Sequence, residues 1–94
     1  LLAQAGLLSG YRATTNKRAY HWVTGFGPDV SWQPSARWVQ DRSRWTSSGI
    51  SAGIDMTAAL IGHFEGQVVL QEILNRAELT VTTDPSHDPF AITP

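Results

Sequence analysis

The sequence predicts an α/β chain, and three features carry that prediction. Short extended stretches alternate with stretches of helical apolar spacing along the whole length. The segment Trp45 to Asp55 passes from an extended run through a glycine-containing turn into an apolar helix. Val69, Leu70, Ile73, Leu74 and Ala77 then form an amphipathic stripe with helical period.

Taken in order, Leu1 to Leu8 has Leu and Ala at helical spacing, and Ser9-Gly10 reads as its stop. Arg12 to Thr15 reads as a strand. Asn16 can cap a helix from Lys17 to about Thr24, which Gly25 and Gly27-Pro28 end. Val30-Ser31-Trp32 is a short strand and Ala36 to Gln40 a second. Asp41 to Arg44 is a polar turn, and Trp45-Thr46-Ser47 returns as the partner strand of a hairpin. Gly49 to Gly53 reads as a small-residue turn leading straight into a helix, in which Ile54, Met56, Ala58, Ala59, Leu60, Ile61 and Phe64 cover more than one face, which predicts deep burial. Gly66 breaks it, and the amphipathic stripe follows. Leu79 to Thr83 reads as a last extended segment, and Asp84 to Pro89 as a tail of turns.

The chain has 94 residues, enough for one small domain or part of a larger one. It opens at Leu1 on a helix-like stretch with no capping residue before it, so it reads as part of a longer polypeptide. A domain of this length that has lost flanking strands would be marginal, which predicts a poorly stable monomer. Seven Lys and Arg stand against eight Asp and Glu, which leaves no basic surplus for nucleic acid. Cysteine is absent, which removes disulfides, thiolate metal sites and a thiol nucleophile from these residues. No apolar run is long enough to span a membrane and no leader pattern is visible, so the expected location is cytoplasmic.

Chemistry is best sought where Trp45 to Asp55 turns into the helix. First-turn amides lack internal partners and carry partial positive charge, so they suit an anion. Ser48 and Ser51 either cap this helix or face a ligand. Gly49-Ile50-Ser51-Ala52-Gly53 matches the letters of a nucleophile elbow, but Ser51 lacks a plausible triad: His63 sits on the same helix, and His87 with Asp84 and Asp88 sits in the tail. His21, His63 and His87 show no metal-ligand spacing, so no metal is expected. Asp55 is assigned to the first helical turn, where it would stabilise the dipole. Trp22, Trp32, Trp38 and Trp45 read as core, and Arg42 and Arg44 as solvated turn residues. Asn16 is either a cap or a polar pocket group.

Three stretches together resemble the DJ-1/PfpI superfamily: Leu2 to Thr15 (LAQAGLLSGYRATT), Trp45 to Asp55 (WTSSGISAGID) and Asp84 to Ala91 (DPSHDPFA). The resemblance implies a flavodoxin-like three-layer sandwich of which residues 1–94 are the C-terminal half. It places a nucleophilic Cys a few residues upstream of Leu1, in an elbow whose helix N-terminus lowers the thiol pKa. Asn16 stands where many members carry a histidine. Thr15, Asn16, Ser47, Ser48, Gly49 and Ile50 match the turns bordering the family pocket, with Ile50 as an apolar wall. The implied function is a cysteine-dependent hydratase or hydrolase of a small molecule, similar to isocyanide hydratases, homodimeric when intact and without a cofactor. The alternative is a non-catalytic ligand-sensing or interaction domain.

Overall fold

The computed structural model describes residues 1–93. It is a mixed α/β unit in which two small sheets carry three helices. Strand β1 (Arg12–Ala13) pairs in parallel with β2 (Ser31–Trp32), and helix α1 (Tyr20–Thr24) lies between them in the chain. Strands β3 (Trp38–Asp41) and β4 (Arg44–Ser47) form the antiparallel hairpin that the polar turn predicts. Helices α2 (Ile50–Glu65) and α3 (Gln67–Ala77) follow and pack on each other.

The opening segment is a single helical turn, not a helix running to Leu8. Leu7 donates to the Leu2 carbonyl at 3.1 Å and Gly6 to the Ala3 carbonyl at 3.0 Å. With Gly6 at φ 78° these bonds make a Schellman stop, so the chain turns three residues before the predicted Ser9-Gly10. Ala3 and Leu8 point inward and build a small core with Ala13 and Val30.

Strand β1 stops at Ala13, two residues short of the predicted Thr15, because the next groups bond to side chains and loops. Its outward amides are taken by side chains of the hairpin: Arg12 N–H donates to Asp41 Oδ2 at 2.7 Å, and Thr14 N–H to Thr46 Oγ1 at 3.0 Å. Asn16 Oδ1 accepts from the Arg18 and Ala19 amides at 2.8 and 3.2 Å and so closes the turn ahead of the helix; the helix itself is capped at Ala19 with no side-chain bond, so Asn16 is not the cap of α1. The regular helix begins only at Tyr20, since Lys17 is drawn into the interior. Arg42 and Arg44 are more than solvated turn residues. Arg42 donates to the Gly10 carbonyl at 2.8 Å and Arg44 to that of Leu7 at 2.8 Å, and both guanidinium groups lie over the Tyr11 ring.

Deep burial of α2 is not observed. Ala52, Asp55 and Ala58 are its buried residues, whereas Ile54 and Phe64 are exposed. Only one stripe of α2 meets the hairpin, and α3 covers part of a second; the remaining apolar side chains form an open groove between the two helices. Large apolar residues such as Ile50 and Val68 are exposed.

Helix α3 ends in a second Schellman stop, with Leu79 donating to Leu74 at 3.0 Å and Glu78 held at φ 51°. A side chain in that left-handed position is strained. Glu78→Gly is therefore expected to raise stability by about 1 kcal/mol in urea denaturation, and an unchanged midpoint would show the strain to be relaxed. The segment after it forms no strand. Instead of a ladder, Thr82 N–H finds Asp55 Oδ1 at 3.2 Å. The closing segment is packed beside residues 34–38: Arg37 donates to the Pro85 carbonyl at 2.7 Å and Asp88 to that of Ser35 at 3.0 Å.

Candidate functional site

A cavity of about 240 Å³ opens at the N-terminus of α2. It is assembled from four separated segments: Asn16 to Arg18, Arg37, the start of α2 (Ser48, Gly49, Ser51 and Ala52), and Asp88 with Phe90. The hairpin carries Arg37 to its floor, the turn after β4 delivers Ser48 and Gly49, and the closing segment supplies Asp88.

Behind the cavity lies a buried chain of charges. Lys17 Nζ is within 3.2 Å of Asp88 Oδ2, and both side chains are almost fully enclosed. Arg37 Nε donates to Asp55 Oδ2 at 2.7 Å, and Arg37 Nη1 stands 3.8 Å from Asp88 Oδ1. Two cations and two carboxylates thus balance, as burial requires. Lys17 is further held by the Ala36 carbonyl at 2.7 Å, Thr14 Oγ1 at 2.9 Å and Ser48 Oγ at 3.2 Å. Asp88 Oδ1 accepts from the Phe90 amide at 3.0 Å. Asp88 Oδ2 meets Lys17 as an ion-pair contact only, outside hydrogen-bond geometry.

These contacts set the proton affinities. Burial raises the Asp88 pKa, but the Phe90 amide, the Ser48 hydroxyl and Lys17 outweigh it, so the carboxyl lies below its ordinary value. For Lys17, burial lowers the pKa and the Asp88 carboxylate only partly restores it.

The six pocket residues expected from sequence are distributed over three cavities. Asn16, Ser48 and Gly49 line the polar one at the α2 N-terminus. Thr15 and Ser47 line a second of about 370 Å³ with Trp45 and Met56. Ile50, 92% exposed, borders the apolar groove between α2 and α3. Asp55 lies beyond the first helical turn and pairs with Arg37, so it is not a dipole partner. Asp88, expected in a turn-rich tail, is 2% exposed.

Lys17, Arg37 and Asp88 were not singled out from the sequence as site residues. The available signals were weak: Arg37 directly precedes the apolar pair Trp38-Val39, and Asp88 is fixed between proline-containing turns. Ser51 lies on the cavity wall, while His63 is three helical turns away, where it packs edge-on against Trp45 and Phe64. Among the described residues, no group of three His, Cys, Asp or Glu could hold a metal ion.

No protein-family model and no curated protein matches the chain. Among solved structures, it is similar to an AraC family transcriptional regulator from Pseudomonas putida, with a TM-score of 0.69 and 17% sequence identity. The likeness covers 81% of this chain and 40% of that protein, so the chain spans less than half of its length. At this identity the likeness bears on fold.

It also overturns the DJ-1/PfpI resemblance, because the similar structure is a transcriptional regulator. The hydratase or hydrolase reading goes with it. The physical reason lies in the matched stretches. A Schellman stop, a strand–glycine turn–helix and a proline-punctuated turn satisfy general backbone requirements and recur wherever those geometries are needed. Among the described residues, no helix is long and apolar enough to cross a membrane.

Proposed function

We propose that this chain is a non-catalytic ligand-sensing unit that binds a small molecule in the cavity at the α2 N-terminus. The observation that carries this reading is the construction of the cavity: four distant chain segments converge on it, and their charged groups are tied to one another by buried bonds. Such cross-bracing preorganises a binding site, because its polar groups are already held in place when the ligand arrives. The same bracing commits Lys17 and Asp88 to each other, which favours recognition over proton transfer. The near-neutral charge points to a small-molecule partner for this unit in preference to nucleic acid.

The AraC family regulator is, by its name, a regulator of transcription, which favours a sensing role. The parallel β1–β2 pair with α1 between its strands supports a flavodoxin-like layered sandwich as the finer description of the fold. Dimerisation through the exposed α2–α3 face remains part of the proposal.

The test is an amide NMR titration of the chain with small metabolites of neutral, cationic and anionic type. Shifts centred on Asn16, Ser48 to Ala52 and Asp88 to Phe90 are expected, with the ligand recovered unchanged. Conversion of the ligand, or binding confined to residues elsewhere, overturns the reading.

A further inference from the structure

Resting on that ligand-binding reading, we propose that the cavity takes a small primary carboxamide. Its carbonyl accepts from the first amides of α2, and its N–H donates to the buried Asp88 Oδ2.

Asp88 supplies the first argument. Its side chain is 1% exposed and lines this cavity. Oδ1 accepts from the Phe90 amide at 3.0 Å, whereas Oδ2 accepts no hydrogen bond among the described residues. Lys17 Nζ stands 3.2 Å away, but an ammonium has only three protons. The Ala36 carbonyl at 2.7 Å, Thr14 Oγ1 at 2.9 Å and Ser48 Oγ at 3.2 Å take them. Lys17 therefore balances the charge of Asp88 and leaves the lone pairs of Oδ2 unmet. The Ser48 hydroxyl favours the ionised carboxyl, yet it makes no hydrogen bond to Oδ2. A buried acceptor without a donor is costly, and a ligand N–H would remove the cost.

Helix α2 supplies the second. It is sixteen residues long, its N-cap is Gly49, and no side chain caps its amides. The N–H groups of Ile50, Ser51 and Ala52 precede the first intrahelical bond, from Gly53 to Gly49 at 3.0 Å. They need an acceptor on the ligand, where Oδ2 needs a donor.

Charge and size narrow the ligand. The Phe90 amide and Lys17 keep Asp88 ionised, and its charge disfavours a carboxylate. Lys17, Arg18 and Arg37 line the same cavity beside the positive end of α2, which disfavours an ammonium. A neutral group with both a donor and an acceptor remains. A hydroxyl offers both from one atom, whereas the cavity presents its donors and its acceptor from two separate segments. A primary carboxamide carries them on different atoms of one planar unit. The volume, about 240 Å³, falls below the roughly 300–1,000 Å³ of drug-sized sites, so the tail has only a few carbon atoms. Ala52 and Phe90 give that tail an apolar wall.

The experiment is an amide NMR titration of the chain with propionamide, alongside propionate, propylammonium and butanone at constant ionic strength. Butanone is propionamide with a methyl in place of the amino group, so it keeps the acceptor and lacks the donor. Propionamide is expected to shift the Ile50, Ser51, Ala52 and Phe90 amides and to bind about tenfold tighter than butanone. Asp88→Asn puts an N–H donor at the Oδ2 position while Oδ1 keeps the Phe90 bond, and should erase that preference. Gly49→Ala serves as a second variant should Asp88→Asn not fold. Its φ of −63° suits alanine, and the added methyl would lie 3.5 Å from Asn16 Nδ2, an ordinary contact. It narrows the cavity between these two lining residues and should weaken propionamide several-fold.

Butanone binding the wild type as tightly as propionamide overturns the Asp88 contact while leaving the pocket reading intact, as does a preference retained in folded Asp88→Asn. Tighter propionate or propylammonium overturns the neutral ligand. Propionamide affinity unchanged in Gly49→Ala overturns its placement at the start of α2. If none of the four compounds perturbs the α2 N-terminus, the inference fails; the ligand-binding reading fails separately if the wider metabolite set also leaves the cavity untouched.

Discussion

Asp88→Ala is expected to lower the stability of this chain by about 3–5 kcal/mol, the usual cost of stranding a buried charge. Its removal would leave Lys17, 5% exposed, without its carboxylate, and would weaken the balance around Arg37. It would also release the closing segment, whose Phe90 amide bonds to Asp88 Oδ1. Urea denaturation followed by circular dichroism measures the loss. Asp84→Ala is the comparison, since Asp84 is exposed and bonds only within its own turn to Ser86; it should leave the urea midpoint almost unchanged. Equal effects of the two substitutions would show that burial of Asp88 contributes nothing special.

The same pair sets an acid dependence. In the folded chain the Asp88 carboxyl lies below its ordinary value, about 3.9 when unfolded. The unfolded state therefore takes up the proton first as pH falls. Its contribution to stability is fully present above that unfolded value and is lost as pH drops through the depressed folded one. The stability gap between wild type and Asp88→Asn should accordingly narrow below about pH 4. Asp41 and Asp84, also shifted downward, remain in both proteins and cancel in the comparison.

The second large effect is expected at Arg37 and Asp55. Asp55 accepts from Arg37 Nε at 2.7 Å and from the Thr82 amide at 3.2 Å, so it ties the hairpin, α2 and the closing segment together. Asp55→Ala should cost about 3 kcal/mol by removing the carboxylate that Arg37 hydrogen-bonds in the interior and leaving it only the longer contact to Asp88. The double variant Arg37→Met with Asp55→Leu should recover much of that loss, because apolar side chains of similar size carry no desolvation penalty. A double-mutant cycle in urea should then return a coupling of about 2 kcal/mol. Additive single effects would mean that the two side chains do not act as a pair.

Local rules were legible from the residues alone where a short segment decides its own shape. The hairpin around Arg42-Ser43, the break at Gly66 and the helix of Val69 to Ala77 all appear as their spacing predicts. Asn16 bonds a turn and not the helix it was expected to cap, which begins four residues later at Tyr20. Boundaries fared less well. Gly6 stopped the first helical turn ahead of Ser9-Gly10, and Lys17 left the surface, so that α1 started at Tyr20. In both cases a neighbouring segment or a positive φ outweighed the apolar pattern.

The sequence by itself determined the α/β alternation and the turn chemistry, because these follow from backbone sterics and from periodicities within one segment, whereas α2 starts at Ile50, inside the stretch read as a turn up to Gly53. The tertiary structure decided which charges became interior. Lys17, Arg37, Asp55 and Asp88 are separated by up to seventy-one positions, the distance from Lys17 to Asp88, and their local composition separates them only weakly from solvated residues. They meet because the closing segment lies against residues 34–38 and brings Asp88 over Lys17. Once buried, each charge could persist only with an opposite partner, and that requirement, invisible along the chain, shaped the cavity at the start of α2.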